Sequence, residues 1–410
     1  MHGLHKALEG VKVLDLSQGI AAPHGACLLG EMGADVVKVE PVAGDWLRGL
    51  GVKHNGSSVL YGTFNRGKRG IALDLKQPEA MRLVRRLLAE ADVMIESNRP
   101  GVTQRLGLDY DSVRQLNSRI VYASVTGFGR TGPLSQLPAT DAAVQAFSGL
   151  SFAANDMVNP IRLRVSLVDI VSGVYLSQAI LAALVQRGRT GEGQHVDLSL
   201  MHCISAVQAY KFAEHQATGG AIARELFAAI GIYRCADGFI AVSAMRDQQV
   251  IDLIRLVGRE ALLQDARFGS PAARFENQDA LRAAVGEALA QRTVGEWLPL
   301  LHGADLIVQQ VQDYDMFRAH PQTQAQRIFT QADLGEIGVL PTVRMPGLPA
   351  EAATAPAPAI GQHTLDILRE AGLDRAACEE LLARGAAVQA GGPVPTHPSM
   401  AREANPTQAH

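Results

Sequence analysis

Apolar and polar positions alternate in two rhythms along the first half of this chain. Short apolar blocks at residues 11–16, 35–39, 70–73, 92–95 and 120–125, each followed by small or polar turn residues, predict buried strands. Segments 23–32 and 79–91 carry apolar residues at helical spacing, the second with a clear polar face. Strands that alternate with helices in this way build a parallel sheet covered on both faces. Ligands of such sheets sit beyond the carboxyl ends of the strands, so the residues just after each strand carry the functional interest.

Residues 163–218 read as mainly helical, with a strand-like piece at 195–198 between two apolar segments, of which 171–185 looks buried. The texture changes at Gly219-Gly220. Residues 231–242 predict two strands joined by an Asp237-Gly238 hairpin turn, and 248–256 and 277–290 predict helices. Residues 339–359 are rich in Pro and Ala and read as an extended return linker, followed by helices at 363–371 and 374–384. The expected organisation is a large domain beginning with 1–220, a smaller domain over 221–335, a return linker and closing helices over 336–387, and a disordered tail over 388–410. There is no internal repeat.

Composition narrows the function classes. The chain has 410 residues, 47% of them hydrophobic, enough for a substantial core. A formal charge of −3 lacks the basic bias of a nucleic-acid binder, so an anionic ligand needs a local site. The four cysteines, Cys27, Cys203, Cys235 and Cys378, have no metal-type spacing and read as reduced buried thiols. No apolar run follows the first residues, and no stretch reaches the ~18 apolar residues of a membrane span. No metal site, signal peptide or membrane contact is therefore expected, and the expected location is the cytoplasm. The sequence contains no GxGxxG after the first strand, no P-loop, no HExxH and no serine nucleophile elbow.

One carboxylate stands out. Asp169 lies among small and apolar residues at the head of the 171–185 segment, four residues before Gly173. An acid there is paired, capping or chemically employed, because an unpaired buried charge is costly. A helix N-cap or first-turn role accounts for the position equally well.

Several segments in order resemble the class III coenzyme A transferases, the CaiB/BaiF family. They are LEGVKVLDL (8–16), GADVVKVE (33–40), NRGKRGIALDLK (65–76), DVMIE (92–96), Pro100-Gly101, RLG (105–107), GFGRTGP (127–133), RTGEGQHVD (189–197) and PAPAIGQHT (356–364). The resemblance implies an α/β fold with a Rossmann-like large domain built from both chain ends and a smaller α+β domain. It also implies a ring-shaped subunit interlocked with a second copy in a homodimer. The implied activity moves CoA from an acyl-CoA donor to a small carboxylic acid. No cofactor is tightly bound; coenzyme A and its thioesters are substrates. An aspartate suits this chemistry, since its ordinary pKa near 4 leaves it ionised at neutral pH and covalent catalysis splits a hard step in two.

By resemblance Asp169 is the nucleophile. The loop residues Ile20 and Ala21 approach CoA with their backbone, and Leu73, Asp74, Leu75 and Lys76 border the nucleotide. Ser97, Asn98 and Arg99 follow the strand ending at Ile95 and count among the CoA-binding residues, Arg105 lies on the adenine side, and Thr126, Gly127, Phe128 and Gly129 line the pantetheine path. Pro41 departs from relatives that carry a CoA-binding arginine there, a role open to Arg48.

Two other readings stand beside transfer. The same fold hosts 2-methylacyl-CoA racemases, which need a histidine where this chain has Thr140; threonine exchanges no protons at neutral pH. Asp141 then reads as a helix N-cap, and His24 and His195 are spare acid–base candidates or structural residues. A catalytically silent CoA-binding homologue is the third reading. For the substrate, the expectation is succinyl-CoA with a small dicarboxylic acceptor. Arg162, Arg164 and Arg224 would meet a second carboxylate, and Gly219-Gly220 would form a mobile loop over the nucleophile.

Overall fold

In a computed structural model, residues 3–155, 157–220, 227–349 and 355–391 are described. The strands of the first part are β1 (Lys12–Asp15), β2 (Asp35–Glu40), the two-residue pair β3 (Lys53–His54) and β4 (Ser57–Ser58), β5 (Arg69–Leu73), β6 (Val93–Glu96), β7 (Val121–Thr126) and β8 (Gln194–Ser199). The helices are α1 (Ala21–Glu31), α2 (Val59–Asn65), α3 (Pro78–Glu90), α4 (Val102–Leu106), α5 (Tyr110–Leu116), α6 (Asp141–Phe147), α7 (Leu150–Ala153), α8 (Leu167–Thr190) and α9 (Leu200–Val207). The second part holds β9 (Gly231–Arg234), β10 (Phe239–Ser243) and β11 (Ile307–Gln310); the last holds β12 (Phe329–Asp333), β13 (Val339–Val343) and β14 (Ala387–Val388).

The fold is mixed α/β around a seven-stranded sheet of order β14-β5-β2-β1-β6-β7-β8, parallel except for β14. Successive strand residues face opposite sides of a sheet, and here they feed two cores. Val13, Val36, Val93, Ile95, Val121 and Ala123 pack with α1 and α8, whereas Leu14, Val37, Met94 and Tyr122 pack with α3 and the closing helices. This double burial explains why the strands read as continuous apolar blocks. From β1 the chain first builds outward to β2 and β5, then returns to build β6, β7 and β8 on the other side. That reversal opens a crevice at the carboxyl ends of β1 and β6.

The chain divides into two units. One runs up to Phe212 and resumes at Arg327; the other is Ala213–Gln326. In the second unit the expected hairpin forms between β9 and β10, with a third strand, β11, that sequence patterning missed. Its core gathers around Tyr233, Ile240, Leu253, Leu281 and Trp297.

Four expectations need correction. Residues 339–343 form β13, which pairs antiparallel with β12, so the linker begins as a hairpin and β12 groups with the first unit. Val388, placed in the tail, is buried in β14 and pairs with Ala72; residues 392–410 lie outside the described residues. The 171–185 segment is buried on one face only, with Val174 at 47% and Val185 at 60% exposure. Its helix, α8, also has 24 residues and a window of mean hydropathy 1.8, long and apolar enough to cross a membrane by length and composition. In this fold its buried face packs on α1 and the sheet.

Candidate active site

The crevice at the strand-order reversal widens into a cleft of about 650 Å³, within the size range of small-molecule sites. Its wall is built from the residues following β1, β6 and β7, from the loop before α6, and from Asp169 in the first turn of α8. Ile20, Ala21, Ser97, Asn98, Arg99, Arg105, Thr126 and Gly127 all line it together with Asp169.

Glycine brings α8 to this place. A Cβ on Gly25 would stand 3.0 Å from the Gly173 carbonyl oxygen, and one on Gly173 would stand 2.7 Å from the Ala21 carbonyl oxygen. The two helices therefore cross at backbone contact, and the first turn of α8 meets the loop after β1.

The first turn of α8 is not capped by the Asp169 carboxylate. Ser166, the N-cap of α8, makes no side-chain capping bond. The free amides of Val168 and Asp169 instead donate to Asp141 Oδ2 at 2.8 and 3.3 Å. Asp141 Oδ1 accepts from Gln145 Nε2 at 2.6 Å, and Gln145 also bonds the Leu163 backbone in both directions, at 2.9 and 3.1 Å. Thus Asp141 does cap a helix, but α8; its own helix α6 is capped by Thr140, which accepts from the Ala143 amide at 3.3 Å. Among the described residues no donor reaches the Asp169 carboxylate. Burial, and secondarily the charge of Asp141, push its pKa up to about 7. This corrects the expectation of full ionisation at neutral pH: near pH 7 the carboxyl is divided between both forms.

A buried ionic scaffold holds the loop after β1. Lys68 Nζ reaches Asp15 Oδ2 at 2.8 Å, Asn65 Oδ1 at 2.9 Å and the Pro23 carbonyl at 2.9 Å. Lys38 Nζ reaches Asp45 Oδ2 at 2.9 Å and the Ser17 carbonyl at 2.8 Å. Burial pushes the Asp15 pKa up, but Lys68 and Lys38 outweigh it and hold the group below the ordinary carboxylate range. Asp45 in turn accepts from the Gly19 amide, where φ is +84° and a Cβ would lie 2.6 Å from the Trp46 ring. Ser97 Oγ lies 3.0 Å from the Gln18 amide and 3.3 Å from its carbonyl, and Glu96 accepts from Asn98 N at 2.8 Å. The Asn65-Arg66-Gly67-Lys68 motif is therefore support beneath the cleft, with Arg66 paired to Glu31 at 2.5 Å.

Other expected site residues stand elsewhere. Leu73 is core, Leu75 packs against the same core, Asp74 accepts from the Lys76 amide at 3.1 Å, and Lys76 is exposed; none of the four lines the cleft. Phe128 packs edge-on against Phe147 with centroids 5.3 Å apart, and it and Gly129 also lie off the lining. Arg48 is committed to Glu40 at 2.7 Å, to Tyr61 and to the Pro358 carbonyl, so it does not replace the arginine absent at Pro41. His24 packs on Phe64, and burial with the nearby Arg66 and Lys68 charges pushes its pKa down to about 4. His195 is stacked on Tyr110 and lies 3.0 Å from Ser124 Oγ, away from the cleft lining. Arg162 and Arg164 are exposed, Gly219 and Gly220 belong to the second unit, and Arg224 lies outside the described residues. All four cysteines are buried and free.

Sequence reasoning missed Trp46 and Leu137 to Ala139 as cleft residues, whereas Gln18 and Gly19 fall among the residues expected to matter after the first strand. Gln18 and Gly19 closely follow β1, whereas Trp46 arrives through the Asp45 turn, which Lys38, the Gly19 amide and Glu40 hold in place.

The chain is similar to known proteins over most of its length. Residues 8–364 match the family described as CoA-transferase family III. The chain is 31% identical over 393 residues to a succinyl-CoA:glutarate CoA-transferase of Homo sapiens, covering 93% of this chain and 90% of that one. It is 32% identical over 380 residues to a succinate–glutarate CoA-transferase of Agrobacterium fabrum, covering 88% and 95%. The crystal structure of a CAIB/BAIF family protein from Brucella suis superposes with a TM-score of 0.79 at 32% identity, covering 88% of this chain and 98% of that one.

Proposed function

The chain belongs to CoA-transferase family III and is a class III CoA-transferase; from this we propose that Asp169 is its nucleophile, with succinyl-CoA as donor and a small dicarboxylic acid as acceptor. The observation that carries the assignment is the Asp169 carboxylate, unbonded and facing the cleft on a helix whose terminal amides are already capped by another residue.

The ionised carboxylate attacks the donor thioester carbonyl, giving a mixed aspartyl–acyl anhydride and CoA thiolate. The thiolate attacks the aspartyl carbonyl, releasing the donor acid and leaving an aspartyl–CoA thioester. The acceptor carboxylate attacks that thioester and expels the thiolate, which then takes the new acyl group and frees Asp169. Each activated species would be lost to water, and the apolar wall of Ile20, Ala21, Ala22 and Leu200 suits its exclusion. Arg99 and Arg105 stand at the cleft with no carboxylate partner among the described residues, which suits them to CoA phosphates.

The dicarboxylate reading draws on the names of the relatives and on Arg162 and Arg164, exposed just ahead of α8. Exposed Val174 and Val185 on α8 support a cover by a second copy, as in an interlocked homodimer of ring-shaped subunits. Free buried cysteines suit a reducing cytoplasm.

A screen of free acids against succinyl-CoA and acetyl-CoA, read by mass spectrometry, tests the substrate. Asp169→Ala is expected to abolish transfer and the aspartyl–CoA adduct while CoA still binds. Robust turnover by that variant would refute the nucleophile. Binding without acyl exchange in the unaltered protein would mark a silent CoA binder, and deuterium wash-in at the alpha carbon of a methyl-branched acyl-CoA would mark a racemase.

A further inference from the structure

A carboxylate in the first turn of a helix ordinarily bonds the free amides there, which stabilises its charge and lowers its reactivity. In this protein those amides are occupied from outside. Asp141, 7% exposed and on a different helix, accepts from both Val168 and Asp169. Gln145, fully buried one turn along α6, bonds Asp141 through the same amide group that clasps Leu163. The chain leading into α8, the start of α8 and the start of α6 are thereby locked together by two side chains.

We propose that Asp141, oriented by Gln145, is a positioning residue that caps α8 from outside and so keeps the Asp169 carboxylate unbonded and aimed into the cleft for attack. The inference rests on Asp169 being the nucleophile. Removing Asp141 frees two amide donors within reach of Asp169, whose carboxylate then folds back onto its own helix. CoA binding, which uses the loops after β1, β6 and β7, is untouched.

The charged and titratable groups around Asp169 are Asp141 on α6 and His24 on α1 against Gly173, with Arg99 and Arg105 lining the same cleft. Asp141→Asn keeps one oxygen for the two amides, but its NH2 then faces the Gln145 NH2 that Oδ1 accepts from in the unaltered protein. Asp141→Ala removes the acceptor altogether.

The test is single-turnover formation of the aspartyl–CoA adduct with the acyl-CoA that turns over fastest, alongside the Kd of free CoA by calorimetry. Asp141→Ala is expected to slow adduct formation about 10- to 100-fold, the scale of a small misplacement, with an unchanged Kd. Asp141→Asn, which keeps the acceptor for the amides and loses only the bond from Gln145, should recover part of that loss at pH 8. Wild-type rates in Asp141→Ala, equal impairment of both variants, or a weakened Kd with an unchanged rate would each overturn the proposal. Should Asp141→Ala not fold, Gln145→Ala carries the test: a slower adduct at unchanged Kd supports it, and a wild-type rate overturns it. Asp169→Ala in the same assay separates the two readings. Activity there refutes the nucleophile itself, whereas an inactive Asp169→Ala beside a fully active Asp141→Ala refutes the positioning role alone.

Discussion

Gly173 on α8 faces the backbone of Ala21 on α1 so closely that a Cβ at 173 would stand 2.7 Å from the Ala21 carbonyl oxygen. One methyl group there must either push α8 away or displace the loop that lines the cleft beside Asp169. We predict that Gly173→Ala costs about 1–3 kcal/mol of stability from overpacking and lowers kcat about 10- to 100-fold through misplacement of the reacting groups. Urea unfolding and steady-state kinetics measure the two effects; an unaltered kcat would show that helix spacing does not set the site.

The elevated pKa of Asp169 predicts an acid limb. Only the ionised carboxylate attacks, so the rate of adduct formation should fall about tenfold per pH unit below about pH 7 and level off above it. Single-turnover rates from pH 5.5 to 8.5 record the limb. A midpoint near the ordinary carboxylate value would mean that neither burial nor Asp141 acts on this group in solution.

Lys68 and Asp15 form a fully buried pair beneath the cleft. Lys68→Ala would leave the Asp15 charge without its partner, and removing one member of such a pair costs about 3–5 kcal/mol. We expect a large fall in the denaturation midpoint, with residual activity lost in proportion to folding. A stable, inactive Lys68→Ala protein would instead assign Lys68 a part in the reaction.

Arg105 makes a different kind of prediction, since its exposed guanidinium meets no carboxylate among the described residues. If it holds a CoA phosphate, Arg105→Ala should raise the KM for acyl-CoA about tenfold or more, the scale of a charge-assisted bond, with kcat little changed. An unchanged KM, measured at constant ionic strength, would leave Arg105 as a solvated surface charge.

Much of the fold was legible because parallel strands buried on both faces must be apolar throughout. The blocks around Val13, Val37, Met94 and Ala123 declared themselves for that reason. Asp169 was also visible, as a lone acid at the head of an apolar helix. The β12–β13 hairpin was hidden because Pro341 and the neighbouring polar residues mask a short exposed strand pair. Leu73 to Lys76 follow a strand as cleft residues do, but β5 lies two places from the strand-order reversal, and no residue pattern reports that distance.

Local composition thus determined which segments are strands and helices and which carboxylate is exceptional, because periodicity and burial preference are properties of neighbouring residues. Tertiary structure alone decided that Asp141 caps α8 in place of its own helix, that Lys38 and Lys68 lie beneath the cleft as buried pairs, and that Arg48 is already engaged by Glu40. Hydrogen bonds and ion pairs between residues tens of positions apart depend on where the chain returns in space. The state of Asp169 follows from those returns, since burial and a neighbouring charge set its pKa.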